Sequence, residues 1–244
     1  VNHTRLAIGA LALALVALLL LTVSGLGYRT AMWTLPAAFT MVKWAAYLGI
    51  AGGAAALAGM FIARPVGRAT SVFALAFLIA VIAAGIPWSF KRRAGQVPPI
   101  HDISTDTQDP PAFVAVLPLR ATAKNPATYG GDGVAAKQHA GYPDIGPVHL
   151  TLPRDAAFQR AHDAAVAMGW EMVAADSAAG RIEATATTRW FGFKDDVVIR
   201  VRPEGAGSRV DVRSVSRVGG SDVGTNAARI RAYVARLGTA SAGA

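Results

Sequence analysis

Two patterns divide the chain. Long apolar runs fill the first 93 residues, and short alternating runs fill the last 90 or so. Leu6–Val23 is eighteen residues without a charge, rich in Leu, Ala and Val. At 1.5 Å per helical residue such a run spans the ~30 Å hydrocarbon core of a bilayer. Trp44–Ala63 and Ser71–Phe90 predict a second and a third span. A signal peptide is the competing reading of the first run, but its apolar region is usually only about 7–15 residues, and further spans follow. Three retained helices are therefore expected. Trp33, Trp44, Tyr47 and Trp88 stand where an interfacial aromatic belt would put them. Gly49 and Gly53 form a GxxxG pair, and Ala76, Ala80 and Ala84 repeat at four-residue spacing, so spans two and three are expected to pack as a hairpin.

Residues 94–150 carry eight of the thirteen prolines, which excludes long helices and favours extended chain. Phe113–Leu117 reads as a short edge strand and Lys124–His139 as a mobile, glycine-rich loop. Pro99-Ile100, Phe113 and Tyr142-Pro-Asp-Ile145 are too apolar for a spacer, so the segment is expected to wrap the domain that follows it.

From Arg154 the periods become regular. Asp155–Met168 predicts a helix with Phe158, Ala161, Ala165 and Met168 along one face, ended by Gly169. Strands are expected over Trp170–Ala175, Arg181–Trp190, Asp196–Arg202 and Arg209–Arg217, joined by turns short enough for antiparallel hairpins. A last helix carries Val223, Ala227, Ile230, Val234 and Leu237, with Gly238 suited to its C′ position. The expected fold is α+β: a three-helix transmembrane anchor (1–93), a proline- and glycine-rich wrap (94–150), and a soluble domain (151–238). That domain is α-β-β-β-β-α, a four-stranded antiparallel sheet with both helices on one face. Residues 239–244 are expected to form a flexible tail.

Charge sharpens this division. Residues 1–93 contain eight Lys and Arg and no acid, while all fifteen acidic residues lie beyond them with the other sixteen bases. The net charge of +9 thus belongs mostly to the flanks of the apolar runs, and it does not signal nucleic acid. No ionisable residue lies inside a span, which argues against a channel or transporter. Arg5, Arg64 and Arg68 fall on one side of the membrane. Arg29, Lys43 and Lys91-Arg92-Arg93 fall on the other, together with the soluble domain; this balance favours a cytoplasmic domain. With no cysteine, the chain has no disulfide, no thiol nucleophile and no thiolate metal ligand.

The most site-like stretch is the junction where the last strand meets the last helix. Arg213, Arg217, Gly219, Gly220, Ser221 and Asn226 gather guanidinium groups, a hydroxyl and free backbone N–H groups, and Arg200 lies on the same predicted sheet face. Such a set suits a phosphate, a carboxylate or an anionic lipid headgroup. Two plainer readings stand beside it. Arg181, Glu183, Arg189, Asp196, Arg200, Arg202, Arg209, Asp211, Arg213 and Arg217 alternate onto one face and can form a solvent-exposed ladder of ion pairs. Ser221 or Asp222 can serve as an ordinary helix cap. The hairpin tip Trp190, Phe191 and Phe193 is a candidate contact for a partner or the membrane, or it folds under the wrap. Asp195 and Asp196 point to opposite sheet faces and make a poor carboxylate pair. His3, His101, His139, His149 and His162 have no metal-site spacing. Asp102, Asp106 and Asp109 lack the order of a calcium loop. No P-loop, Rossmann or GxSxG pattern occurs. No metal and no cofactor are expected, and the catalytic residues, if any, are unassigned.

Gly180-Arg-Ile-Glu-Ala-Thr-Ala-Thr-Thr188, Phe191-Gly-Phe-Lys-Asp-Asp-Val-Val-Ile-Arg-Val201, Asp211-Val-Arg-Ser-Val-Ser-Arg-Val-Gly219, Ser221-Asp222, Gly224 and Asn226 together resemble the family called domain of unknown function 1499. The likeness runs upstream through Asp106, Pro110-Pro111, Phe113 and Tyr142-Pro143, covering about residues 98–237. The resemblance carries over no activity, cofactor or catalytic residue. It does imply association with the bacterial cell envelope and tilts the expected location toward an inner (cytoplasmic) membrane protein with a periplasmic domain, against the charge count. The leading expectation is a non-enzymatic, membrane-anchored envelope protein that binds an anionic lipid or small anionic ligand, or a membrane protein partner. A hydrolase using Asp196, Asp211 or Asp222 with a histidine of the wrap is one alternative. A structural subunit of a membrane complex is another.

Overall fold

The structure is a computed structural model that describes residues 3–62 and 67–239. Arg64 and most of the expected tail, 240–244, lie outside the described residues. The chain divides into two compact units: Val1–Arg93 with Arg189–Gly192, and Ala94–Thr188 with Phe193–Ala244.

The first unit holds α1 (His3–Arg29), α2 (Leu35–Ile62) and α3 (Arg68–Ala94). Each is long and apolar enough to cross a membrane. Small residues set how they pack. Ala7, Ala10, Ala14 and Ala17 recur along one side of α1 and are buried. A Cβ built on Gly52 would lie 3.3 Å from the Ala14 nitrogen, so α2 meets α1 almost backbone to backbone. The expected hairpin of spans two and three is present: a Cβ on Gly49 would lie 3.1 Å from both Ala80 O and Ala84 N. Leu15, Ile50 and Leu78 point outward, as lipid-facing side chains do.

The second unit is α+β, with more strands than the alternation predicts. The elements in chain order are β1 (Asp102–Ser104), a 3₁₀ turn (Leu117–Arg120), α4 (Asp132–Gly141), β2 (Val148–Leu150), α5 (Arg154–Ala167), β3 (Glu171–Asp176), β4 (Arg181–Thr187), β5 (Lys194–Glu204), β6 (Gly207–Ser216) and α6 (Thr225–Thr239). The sheet order is β1-β6-β5-β4-β3, antiparallel throughout, with β2 also beside β6. The two unforeseen strands have three residues each, too few to show a period. They share one edge of β6, pairing with residues 213–215 and 208–210, and the Thr105 N–H donates to Val212 O between them. An otherwise open sheet edge is thereby closed by the wrap. Gly205, with φ 57°, opens the tight β5–β6 turn.

Both helices cover one sheet face, as expected. Ile182, Val197, Ile199, Val201, Val210 and Val212 pack against Ala157, Phe158, Ala161 and Ala165 of α5 and Ala227, Ile230, Tyr233 and Leu237 of α6. The Tyr233 hydroxyl donates to Ala161 O at 3.0 Å and ties the two helices together.

Four expectations need correction. Phe113–Leu117 is not a strand; its backbone is held by a side chain described below. Half of the expected Lys124–His139 loop is helix α4, which fits between Pro126 and Pro143 and is fastened by buried Gln138. That side chain accepts from Ser104 N at 3.0 Å and donates to Ser104 O at 2.7 Å. Gly238 lies inside α6 and is not its C′ residue. Val223 precedes α6 with φ 54°, so the double glycine enters an irregular turn before the helix starts.

Candidate functional site

The second sheet face carries the charge, and the wrap lies over it. Period-2 alternation sends Glu183 and Thr185 of β4, Asp196, Val198 and Arg200 of β5, and Asp211, Arg213 and Val215 of β6 to this side. Phe113 and Val116 of the wrap pack on Val198 and Val215. Glu183, Asp196 and Asp211 are fully buried, and Arg213 is 2% exposed. The ladder of ion pairs exists; its Glu183, Asp196, Asp211 and Arg213 members form a second core under the wrap, while its Arg202–Asp109 end stays exposed.

Arg213 holds Asp102 of β1 through two parallel bonds, 2.9 Å from Nε and 2.7 Å from Nη2. It also donates to the Pro111 and Ala127 carbonyls, and its guanidinium lies 5.1 Å from the Phe113 ring centroid and 5.4 Å from that of Tyr129. Arg217 grips Asp196 in the same bidentate way, at 2.9 and 2.8 Å, and donates to Leu119 O at 2.8 Å. Arg120 of the wrap reaches Asp196 from the other side at 2.5 Å, and the Thr185 hydroxyl donates to it at 2.8 Å. Arg200 donates to Asp106 at 3.1 Å, Asp109 at 3.0 Å and Asp211 at 3.0 Å. Arg209 spans Asp106 and Asp211 at 2.7 and 3.0 Å. Glu183 sits under the wrap like an anion in a nest. It accepts the N–H groups of Val114, Ala115 and Val116 at 2.9–3.1 Å, with Arg181 Nε at 3.0 Å.

The proton affinities follow from these partners. Burial pushes the Asp196 carboxyl up, but the bonds from Arg217, Thr185 and Arg120 win and hold it below the usual carboxylate range. Asp106 is likewise raised by burial and lowered further by the N–H groups of Asp109 and Gln108 and by Arg209 and Arg200. Tyr129 goes the other way: burial, then the charge of Asp102, pushes its phenol to about 12. At neutral pH Asp196 and Asp106 are therefore ionised and Tyr129 is a neutral phenol.

The junction is capped from within. Asp222 accepts the N–H of Gly224 at 2.8 Å and of Asn226 at 2.7 Å, and Ser221 accepts that of Val223 at 3.2 Å. Burial raises Asp222 even against those two bonds. Asn226 is fully buried. It donates to His101 O and Ser216 Oγ, both at 3.0 Å, and accepts from Ser214 Oγ at 2.8 Å. Gly219 O accepts from Asn125 Nδ2 at 2.9 Å, while Gly219 and Gly220 themselves are exposed. The seven expected anion-site residues are not gathered in one place: Arg200 lies opposite Asp211 toward the β5–β6 turn, Arg213 and Arg217 lie toward the other end of the charged face, and Asn226 bonds Ser214 and Ser216 on the helix side. Arg200, Arg213 and Arg217 among them already hold carboxylates.

The expected aromatic patch is split. Trp190 and Phe191 belong to the helical unit, where Phe191 is buried beside Tyr28 and Phe39, with ring centroids 6.1 and 5.8 Å away. Trp190 lies 6.4 Å from Phe90, and its indole N–H donates to Thr22 O at 3.4 Å. Arg189, expected on the charged face, is in the same unit beyond the end of β4, and its carbonyl accepts from Arg29. Phe193 is in the other unit and closes the β4–β5 connection: its carbonyl accepts from Thr188 N, and its N–H donates to the Thr188 hydroxyl.

The hydrolase arrangement is not assembled. His101 lies against Gly220 O, His139 bonds Thr107, His149 bonds Glu204 and His162 lies beside Asp163. Asp196 and Asp211 are held by arginines, and Asp222 by backbone. Asp195 faces the helices and pairs with Arg229 at 2.5 Å, which confirms that neighbouring Asp195 and Asp196 diverge. Among the described residues, no three His, Cys, Asp or Glu side chains group as a metal would need.

Sequence reasoning missed the partners contributed by the wrap. Asp102, Asp106, Asp109 and Arg120 lie 76 to 111 residues from the sheet charges they neutralise. The available signal was their density of charge in a segment otherwise apolar and proline-rich.

Compared with curated proteins, the chain finds no match. Residues 102–237 match the family described as protein of unknown function (DUF1499), and that span opens on Asp102 of β1 and closes on buried Leu237 of α6. The chain therefore belongs to the DUF1499 family, its family domain preceded by three helices long and apolar enough to cross a membrane.

Proposed function

We propose that the protein is a membrane-anchored, non-enzymatic component of the cell envelope whose α+β domain is a binding module held at the membrane surface. One observation carries this reading. The residues best suited to chemistry, Arg213, Arg217, Arg200, Asp196 and Asp211, are spent on one another and on the wrap. A catalytic acid or base needs a perturbed, reachable proton, and an anion site needs an open guanidinium. Permanently paired groups under a lid supply neither. Binding then falls to the outer surface of the domain, and its target is an anionic lipid headgroup or a membrane protein partner.

Two measurements test this. Any saturable binding of inorganic phosphate or glycerol phosphate to the full chain in detergent should be unchanged in a folded Arg217→Ala variant, because Arg217 is held by Asp196. Saturable binding lost in a folded Arg217→Ala variant would restore the anion site and overturn the reading. The inner membrane with a periplasmic domain is the proposed location, and the cysteine-free chain makes it easy to check. A single cysteine at Ala206, in the exposed β5–β6 turn, should react with an impermeant maleimide on intact cells; protection until the membrane is opened would place the domain in the cytoplasm.

A further inference from the structure

Among the described residues of the α+β unit, exposed large hydrophobics are scarce. They are Val114, Leu117 and Leu119, at 51, 45 and 50%, and Val166 alone on α5. The first three fall within six residues at the outer rim of the wrap, around the 3₁₀ turn Leu117–Arg120. Pro118, exposed between the two leucines, adds to the same patch.

Most of this rim's backbone polar groups are bonded within the domain. The N–H groups of Val114, Ala115 and Val116 go to Glu183. Leu117 N bonds Val114 O at 3.4 Å, Leu119 N bonds Val116 O at 3.0 Å, and Ala121 N bonds Pro118 O at 3.3 Å. Pro118 has no N–H to satisfy, and Arg217 takes Leu119 O. Underneath, Phe113 and Val116 lock into the sheet and Arg120 locks onto Asp196. A loop built for water can leave its backbone to solvent. A loop entering an apolar phase must bring its own partners, because each unsatisfied peptide group costs several kcal/mol there. This one brings most of them.

Charge and reach favour the same environment. From Ala112 to Lys124 there is no acidic residue; Arg120 is buried in its ion pair and Lys124 is exposed. The third apolar helix ends at Ala94 and β1 starts at Asp102. Seven residues cover at most about 25 Å. A bilayer spanned by α3 is therefore always within one short tether of the domain, at high effective concentration.

We propose that Val114, Leu117 and Leu119 form a preorganised wedge that inserts into the interfacial layer of the bilayer that the chain's own helices span. The inference rests on the membrane-anchored reading above and names the surface through which the domain engages lipid. Entry costs little ordering entropy, because Glu183, Arg120 and Pro118 fix the loop beforehand.

The test uses the full chain with single cysteines at Leu119, Leu78 or Ala206, each carrying an environment-sensitive fluorophore. The variants are reconstituted in vesicles of phosphatidylethanolamine and phosphatidylglycerol containing nitroxide-labelled lipid. Leu78 is a lipid-facing position of α3, 58% exposed, and reports on the anchor alone. Ala206 reports on water. The expected result is a blue-shifted label at Leu119, quenched several-fold more than at Ala206, with Leu78 quenched as well. Leu117→Cys should behave like Leu119→Cys. Quenching at Leu78 with a water-like Leu119 would overturn the wedge and leave the anchor standing. No quenching at Leu78 would remove the anchor and the wedge with it. A label at Leu119 that is blue-shifted but unquenched, or blue-shifted only in native membranes, would overturn lipid insertion in favour of a second copy or another protein.

Discussion

The two faces of the sheet start from one alternating pattern and end as two kinds of core. On one face Ile182, Val197, Ile199, Val210 and Val212 meet two helices whose apolar stripes are visible in sequence. On the other, Glu183, Asp196, Asp211 and Arg213 meet a proline-rich segment that carries the opposite charges. The first core is held by area and tolerates approximate shape. The second is held by pairing, so its cost structure is asymmetric: a buried charge with its partner removed is far worse than a small cavity.

The largest effect expected from that contrast is Asp196→Ala. It strands Arg120 and Arg217 in a buried site and should cost about 3–5 kcal/mol in urea unfolding, followed by the fluorescence of Trp170 stacked on Tyr233. Acid should act next, chiefly through the buried carboxylates of the charged face. Asp196 and Asp106 are held below their unfolded values, so their contribution is complete above about pH 4. It is lost as pH falls through the folded values, because the unfolded chain then binds more protons. Unfolding against pH should show this loss, and Asp196→Asn should flatten it. Ile199→Val on the apolar face should cost only about 0.5–1.5 kcal/mol by the same unfolding measurement. Smallest of all is Arg231→Ala. Its bond to Asp144 at 2.6 Å is well formed, but the pair is about half exposed, and a loss above about 1 kcal/mol would contradict the distinction between core and surface pairs.

The same asymmetry explains what was legible in the sequence. Four strands and helices α5 and α6 were readable because each buries one face over enough residues to show a period. Strands β1 and β2 were not, since three residues carry none. Helix α4 was hidden by its flanking glycines and prolines, and it depends on one glutamine bonded to a distant backbone. Apart from Arg189, the charged face was read correctly as a face, down to the divergence of Asp195 and Asp196. Its burial was invisible, because that depends on a wrap whose conformation has no repeat. Arg213 looked like an open guanidinium only while Asp102, 111 residues away, was unplaced. The capping role of Ser221 and Asp222 was local and therefore readable.

Unfolding of Arg213→Ala in the full chain tests most directly whether this arginine set is a core. The account predicts a loss of about 3–5 kcal/mol, because Asp102 is left buried without its bidentate partner. A residue kept for an external ligand behaves oppositely, since its removal leaves stability unchanged or raises it. A change within about 0.5 kcal/mol would contradict the account and return Arg213 to the surface as a binding group.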